Sequence, residues 1–301
     1  MSNRLRPVPG VRIPLIVITG PTGSGKTALA VELADRYGGE IICADSRTVY
    51  RGLDIGTAKP GKQEQARVKH HLLDVVEPNQ RFTLKDFQSL AYRAIEDIEE
   101  RRKIPFLVGG SGLYIDCVVL EYQLNDGEAD LAKRNELEKL DVSRLQELLG
   151  EEGIDQPSNP LNKRQLIRAY ERQGINNQRL ATPDKNTIVV QISTEKVELE
   201  RRLIERAEQI FASGVVAEAE AAAAKYGWDN PAMSGNIYPI IHDLVDGKID
   251  LPEAKRQFVR SDMRLVKKQL TWTRRHKFVH RLSLREAEDF LAKEIEHRLS
   301  A

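Results

Sequence analysis

The chain has 301 residues, 41% of them hydrophobic and 30% charged, with a net charge of +1; these are the proportions of an ordinary folded protein and exclude a disordered tail, a collagen-like repeat and a membrane-embedded protein. No apolar run approaches the roughly 18 residues that span a bilayer, and residues 1–14 lack the apolar stretch and small-residue cleavage site of a secretory signal, so the expectation is a cytoplasmic protein with no membrane contact. Two cysteines, Cys43 and Cys117, are too few for a disulfide framework or a four-cysteine zinc site and read as buried small apolar groups.

Residues 15–19 (LIVIT) are a short apolar, β-branched run that predicts a strand. A Gly-rich turn follows, then residues 28–37, where Leu29, Leu33 and Ala34 share one helical face. Residues 40–44 (EIICA) and 104–108 (IPFLV) read as further buried strands, with a charged helix over 84–102 between them. This alternation predicts an α/β fold, a parallel sheet with helices on its faces. The third strand runs into Gly109-Gly110-Ser111-Gly112, at the carboxyl edge where such a sheet presents a ligand loop. Past residue 121 the chain becomes an acid-rich helical excursion, broken by the Pro-rich stretch 155–161, resumed as a helix over 162–172 and ended by a returning strand at 188–192. Residues 197–226 predict a long helical stretch with Leu199, Leu203, Ala207, Ile210 and Phe211 in one stripe and a break at Gly214; 254–275 predict another helix. The expected organisation is a core built from residues 1–120 and 187–301, with a helical insertion domain at 121–186.

Charge is spread unevenly. Residues 255–285 hold eleven Lys or Arg and one acid, Asp262, so the rest of the chain carries a net charge of −9. A basic segment on an acidic body suits a polyanion-binding face, although a solvated helix face explains it equally well.

Gly20-Pro21-Thr22-Gly23-Ser24-Gly25-Lys26-Thr27 fits the phosphate-loop pattern G-x-x-x-x-G-K-[ST], directly after a predicted strand and directly before a predicted helix. Its glycines let the backbone curl so that successive N–H groups face phosphate oxygens, and the helix N-terminus adds positive partial charge. Lys26 would bring a full charge to the outermost phosphate, and Thr27 would offer its hydroxyl to a magnesium ion, the one cofactor expected. The motif alone does not separate a nucleoside triphosphate from another diphosphate. Asp45 follows the second strand and should project beside this loop, where it could bind the magnesium, act as a general base or cap the next turn. Residues 46–60 are polar, Gly-punctuated and too long for a plain connector, which favours a functional loop. His70 and His71 lack a third ligand at suitable spacing and read as a packed or hydrogen-bonded pair. Trp272 reads as a core aromatic. Arg202 and Arg206, one turn apart, fit either a diphosphate clamp or an ion-paired helix face.

These motifs, GPTGSGKT at 20–27, ADSRTVYRGLDIGTAKP at 44–60, HHLLD at 70–74, VGGSGLYI at 108–115 and KKQLTW at 267–272, occur in the order and approximate spacing of tRNA dimethylallyltransferases. The chain resembles that family closely over 15–115 and more loosely over 188–272. The resemblance implies a P-loop NTPase-like sheet and transfer of a dimethylallyl group from dimethylallyl diphosphate to N6 of the adenosine beside the anticodon of tRNA. Residues 20–27 would then hold the diphosphate, Asp45 would be the base, and Ser111, where the family usually has Thr, would orient the amine or the base. It also implies a monomer that contacts the anticodon stem-loop through Asp45, Ser46, Arg47, Thr48, Ser111, Arg134, Arg164, Gln165, Arg168, Lys267, Lys268 and Gln269, with the insertion as a second arm on the tRNA. The chain departs from the family pattern at Gln165, where an Arg is expected, and at Ile237, Pro239 and Ile240, where the family has Gly before Tyr238 and a basic residue and Gln or Glu after it. Three alternatives stand: an adenylate isopentenyltransferase acting on free nucleotide, an ATP-using P-loop kinase or NTPase, and a paralogue that binds tRNA without catalysis.

Overall fold

The structure, a computed structural model, describes residues 12–124, 131–171 and 179–300. Six parallel strands, β1 (Leu15–Thr19), β2 (Glu40–Cys43), β3 (His70–His71), β4 (Pro105–Gly109), β5 (Thr187–Ile192) and β6 (His280–Leu282), form one sheet in the order β3-β2-β4-β1-β5-β6. The inner strands are continuous apolar runs rather than alternating ones because both faces are covered, as in parallel sheets generally: β2 and β4 are buried at every residue. The register sets Ile18 opposite both Val108 and Val190, and Thr19 opposite Gly109 and Gln191, so the loops leaving β1, β4 and β5 emerge side by side at the carboxyl edge.

The helices around the sheet, in chain order, are α1 (Lys26–Tyr37), α2 (Lys62–Arg67), α3 (Leu84–Glu100) and α4 (Gly112–Val119). Thr83 caps α3 by accepting the Asp86 N–H, while Asp86 accepts the Thr83 N–H, a reciprocal box that fixes where the helix starts. Helices α5 (Leu131–Lys139), α6 (Val142–Glu151) and α7 (Lys163–Glu171) belong to a separate compact unit, Glu121–Leu180, whose apolar centre is Leu137, Leu145, Leu149, Leu166 and Ile167. After the chain returns through β5 it forms α8 (Lys196–Ala212), α9 (Val215–Tyr226), α10 (Tyr238–Val245), α11 (Leu251–Arg274) and α12 (Leu284–Ser300). Gly214 takes φ 93° between α8 and α9, a left-handed conformation that ends one helix and opens the next.

Two apolar clusters organise the larger unit. In the first, Leu33 and Tyr37 of α1 and Leu291 and Ile295 of α12 pack with Ile16, Ile18, Phe106 and Val190 of the sheet; each fully buried side chain of this size contributes about 1.5–3 kcal/mol. In the second, Val49, Tyr50 and Leu53 from the segment after β2 are buried with Ala207, Val215, Ile237, Tyr238, Ile241 and Phe258. The segment that reads as a polar functional loop is thus anchored along half its length by an apolar core.

The strand and helix ends shift by up to three residues from the sequence reading: α1 begins at Lys26, inside the phosphate motif, and α11 begins at Leu251. Strands β3 and β6 carry too little apolar pattern to be anticipated; helix α12 lies beyond the elements read from the sequence, although Ala287, Leu291, Ile295 and Leu299 form an apolar stripe along it. β3 is two histidines, and β6 lies within the basic segment. No helix among the described residues is long and apolar enough to cross a membrane.

Candidate active site

The turn between β1 and α1 winds tightly around the helix N-terminus. Gly23 and Gly25 have φ 81° and 88°, the left-handed region that L side chains avoid, and Gly25 is the first residue of the helix cap. Ser24 N–H donates to the Pro21 carbonyl at 3.1 Å, closing the turn. The Lys26 side chain folds back over it, its Nζ 3.3 Å from the same carbonyl. Burial pushes the Lys26 ammonium down to about 8; Asp45 and Asp262 raise it and Arg206 lowers it, which puts all three charges within its field. Ser24 Oγ is buried and has no hydrogen-bond partner among the described residues, an orphaned polar atom inside the turn.

Asp45 lies two residues beyond the end of β2. Its Oδ1 accepts the Arg47 N–H at 2.8 Å, an Asx turn that fixes the carboxylate and leaves Oδ2 clear of this bond. From β4, Ser111 Oγ accepts the Ser46 N–H at 3.1 Å and Ser111 N–H donates to the Ala44 carbonyl at 3.2 Å, so the two strand-end loops are laced together. Gly109 and Gly112 are required sterically, and Gly110 leaves room for the Gln269 side chain. A Cβ on Gly109 would lie 2.0 Å from the Ala44 carbonyl oxygen, one on Gly110 2.2 Å from Gln269 Nε2, and one on Gly112 2.3 Å from the Trp272 ring. Trp272 is half-buried and donates from Nε1 to Asp116 Oδ2 at 2.7 Å, which fixes it as a wall of this turn rather than a free stacking platform.

The fold therefore brings together Gly20, Pro21, Thr22, Gly23, Ser24, Gly25, Lys26, Thr27, Asp45, Ser46, Arg47, Thr48, Ser111 and Gln269 at one edge of the sheet. Arg47 is tied to Pro231 O and Ser234 Oγ, and Thr48 is buried against its own turn. Gln269 bridges the phosphate turn and the Gly110 carbonyl. Lys267 and Lys268, on the same helix, are exposed. In the 121–180 unit, Arg134 is held by Glu171 through a two-pronged ion pair at 2.6 and 2.5 Å, Arg164 and Arg168 are exposed, and Gln165 lies in the first turn of α7.

Several supporting residues carry no local sequence signal. Glu218 of α9 accepts the Asp54, Ile55 and Gly56 N–H groups at 2.6, 2.7 and 2.9 Å and the Tyr238 hydroxyl at 3.0 Å. Lys59, 3% exposed in its side chain, donates to Tyr50 O and reaches Asp54 and Asp74. Tyr238 thus braces the 45–60 loop. Ile237 and Ile240 are core residues, and Pro239 sits in the first turn of α10, where its missing N–H costs no helical bond. Arg202 pairs with Glu198 and also donates to the Gly23 carbonyl of the phosphate turn, while Arg206 pairs with buried Asp262. His70 and His71 bond to Val68 O and Glu40 Oε2, and no group of three His, Cys, Asp or Glu among the described residues is arranged to hold a metal. Cys43 and Cys117 are buried, and burial pushes both thiols up, Cys117 to about 12.

A glycine-rich turn at a helix N-terminus, on the carboxyl edge of a parallel sheet and beside a fixed carboxylate, is the layout of a P-loop-like α/β enzyme. The model of the IPP transferase family matches residues 48–276, and the chain belongs to that family, whose members are prenyl-transferring enzymes. A tRNA dimethylallyltransferase from Geobacillus thermodenitrificans (strain NG80-2) is 35% identical over 297 residues, 93% of each chain. One from Roseiflexus sp. (strain RS-1) is 38% identical over 278 residues, 87% of this chain and 90% of that one. The full-length tRNA isopentenylpyrophosphate transferase of Bacillus halodurans has a similar structure, with a TM-score of 0.73 at 34% identity, covering 95% of this chain and 98% of that one. A eukaryotic dimethylallyltransferase acting on tRNA shares the fold, with a TM-score of 0.77 at 21% identity over 91% of this chain and 74% of that one.

Proposed function

We propose that this chain is a cytoplasmic, monomeric enzyme that transfers a dimethylallyl group from dimethylallyl diphosphate to N6 of the adenosine beside the anticodon of tRNA. The observation that carries the reading is the junction of three loops: the Lys26 turn, the Asp45 turn and Ser111, with the Ser46 N–H bonded to Ser111 Oγ at 3.1 Å and Asp45 in the field of Lys26.

The allylic C1–O bond breaks as the N6 lone pair forms the new C–N bond, the diphosphate leaves with the bonding electrons, and the N6 proton passes to the Asp45 carboxylate. The exocyclic amine is a weak nucleophile because its lone pair is delocalised into the ring, so a base that takes the proton during attack lowers the barrier directly. The phosphate-turn N–H groups and Lys26 stabilise the negative charge that grows on the leaving diphosphate. Ser111, accepting from Ser46, keeps its own hydroxyl hydrogen to orient the amine or the Asp45 carboxylate. The adenine leaves its stack to reach the site, which a single-stranded anticodon loop permits cheaply.

The donor set suits magnesium. Thr27, in the first turn of α1, would offer its hydroxyl to the metal, whose remaining ligands would come from phosphate oxygens and water. When bound, it would neutralise charge on the diphosphate. Exposed Lys267, Lys268, Arg164 and Arg168 suit contacts to RNA phosphates, which position the RNA without reading its sequence.

The test is incubation of the purified protein with magnesium, dimethylallyl diphosphate and either unmodified tRNA with an A-rich anticodon loop or free AMP, followed by nucleoside mass spectrometry. Prenylated adenosine in the tRNA arm alone is the expected result. Product from AMP alone would assign the free-nucleotide reaction, and product from neither would refute the prenyl-transfer reading.

A further inference from the structure

Asp262, the single acid among the eleven bases of residues 255–285, is 2% exposed. A lone buried carboxylate in a basic helix is costly unless it is fully partnered. Its Oδ2 accepts from Arg206 Nη1 and its Oδ1 from Asn236 Nδ2 at 2.5 Å; Asn236 Oδ1 in turn accepts from the Ser261 hydroxyl. The Arg206 guanidinium also lies 5.5 Å from the Phe258 ring centre, so one of its faces is packed while one corner is pinned. Its Nε and Nη2 make no hydrogen bond to the protein among the described residues. Asp262 and Phe258 of α11 thus fix one guanidinium in one orientation, with Asn236 from the turn before α10 holding the carboxylate and part of the donor fork unspent. Helix α8 lies against the phosphate turn, where a Cβ on Gly23 would be 3.4 Å from Leu203 and Arg202 donates to the Gly23 carbonyl, and both Arg206 and Asp262 act electrostatically on Lys26.

We propose that Asp262, supported by Asn236, is a positioning residue for diphosphate binding: it holds the Arg206 guanidinium beside Lys26 so that its remaining donors meet the leaving group's oxygens already oriented. The inference rests on the reading of residues 20–27 as a diphosphate site. A long Arg side chain otherwise loses rotamer freedom on binding, and fixing it beforehand converts that loss into affinity. One neighbouring carboxylate lowers the net positive charge of the site. The arrangement is favourable because Asp262 engages only Nη1, leaving a parallel pair of donors for a phosphate.

The experiment is calorimetric titration of inorganic diphosphate, with magnesium, into the wild type, Asp262→Asn, Arg206→Ala and the double variant. Asp262→Asn keeps the shape and the acceptor toward Asn236 but turns an amide toward Arg206, so affinity for diphosphate should fall about tenfold, the scale of one misdirected charged hydrogen bond. In the Arg206→Ala background the same substitution should cost little further affinity, because the positioning effect passes through Arg206. KM for the prenyl donor should rise while KM for RNA stays constant. Asn236→Ala, which leaves the ion pair in place, should show a smaller loss of the same sign and serves if Asp262→Asn does not fold. Equal or tighter binding by Asp262→Asn, or additive losses in the double variant, would overturn the proposal. A wild type that binds no diphosphate would overturn the phosphate-loop reading itself, and the proposal with it.

Discussion

Gln269 accepts the Thr22 N–H at 3.1 Å through Oε1, while its Nε2 donates to the Gly110 carbonyl at 3.2 Å. One side chain of α11 thereby sets the distance between the phosphate turn and the turn that carries Ser111. Gln269→Ala breaks both bonds, each worth about 1 kcal/mol net. The expected outcome is a raised KM for the prenyl donor with KM for RNA unchanged, measured by steady-state kinetics. A change confined to KM for RNA would instead give Gln269 the RNA-contact role that the family resemblance implies.

Glu218 holds three consecutive backbone N–H groups and a tyrosine hydroxyl, and so anchors the middle of the 45–60 loop. Glu218→Ala strands the part-buried Ile55 and Gly56 N–H groups at about 1–3 kcal/mol each, whereas the Asp54 N–H is exposed to water. Thermal unfolding should show a large drop in Tm, and kcat should fall with it because Asp45 begins this loop. Tyr238→Phe removes one donor to an acceptor that keeps three others, so its loss should be about 1 kcal/mol.

Desolvation in the turn pushes the ammonium of the half-buried Lys26 down to about 8 from its ordinary 10.5. Below pH 8 it is charged and ready for diphosphate; above, the free protein must take up a proton to bind. Corrected for the titration of diphosphate itself, affinity should be flat well below pH 8 and decline above it, with proton uptake by the protein visible as a buffer-dependent binding enthalpy. Between about 8 and 10.5 the unfolded chain holds more protons than the folded one, so this residue's contribution to stability rises with pH across that window. Binding that strengthens above pH 8 would refute the assignment.

Glu40, at the start of β2, has a side chain only 2% exposed. Burial alone would raise its carboxyl, but hydrogen bonds from Lys103, His71 and Arg101 outweigh it and hold the group at about 2, below its ordinary 4.5. A carboxyl depressed in the folded state gives stability that is fully present above about 4.5 and is lost as pH falls toward 2. Denaturant unfolding of Glu40→Gln should therefore show lower stability at neutral pH and a flatter acid limb. An unchanged acid limb would mean that other carboxylates govern acid unfolding.

The sheet centre was legible because parallel strands are continuous apolar runs: 15–19, 40–44, 104–108 and 188–192 each lie within one residue of a strand end. The phosphate turn was legible because its glycines, Lys26 and Thr27 are adjacent in sequence. The support of the site was hidden because its partners are far apart along the chain. Glu218 meets Asp54 across more than 160 residues, and Gln269 meets Thr22 across nearly 250. Nothing in an alanine-rich helix marks Glu218 as the anchor of a distant loop. Asp262 did carry a signal, as the one acid in a basic stretch, but charge counting reads surface chemistry and this carboxylate is buried. Ile237 and Ile240 stand out as departures from the family pattern, whereas their burial shows an apolar packing role that only the three-dimensional neighbours reveal.

The central claim is that Asp45 accepts the proton of the attacking amine. The most direct measurement is the single-turnover rate of prenyl transfer to tRNA by Asp45→Asn beside the wild type, with RNA affinity measured on the same preparations. Asparagine keeps the acceptor for the Arg47 N–H, so the loop should hold and RNA affinity should stay within about twofold, while the rate should fall by about 10²–10⁴ as expected for loss of a general base. A variant that transfers at the wild-type rate, or one whose lost rate is matched by lost RNA affinity, would contradict the account.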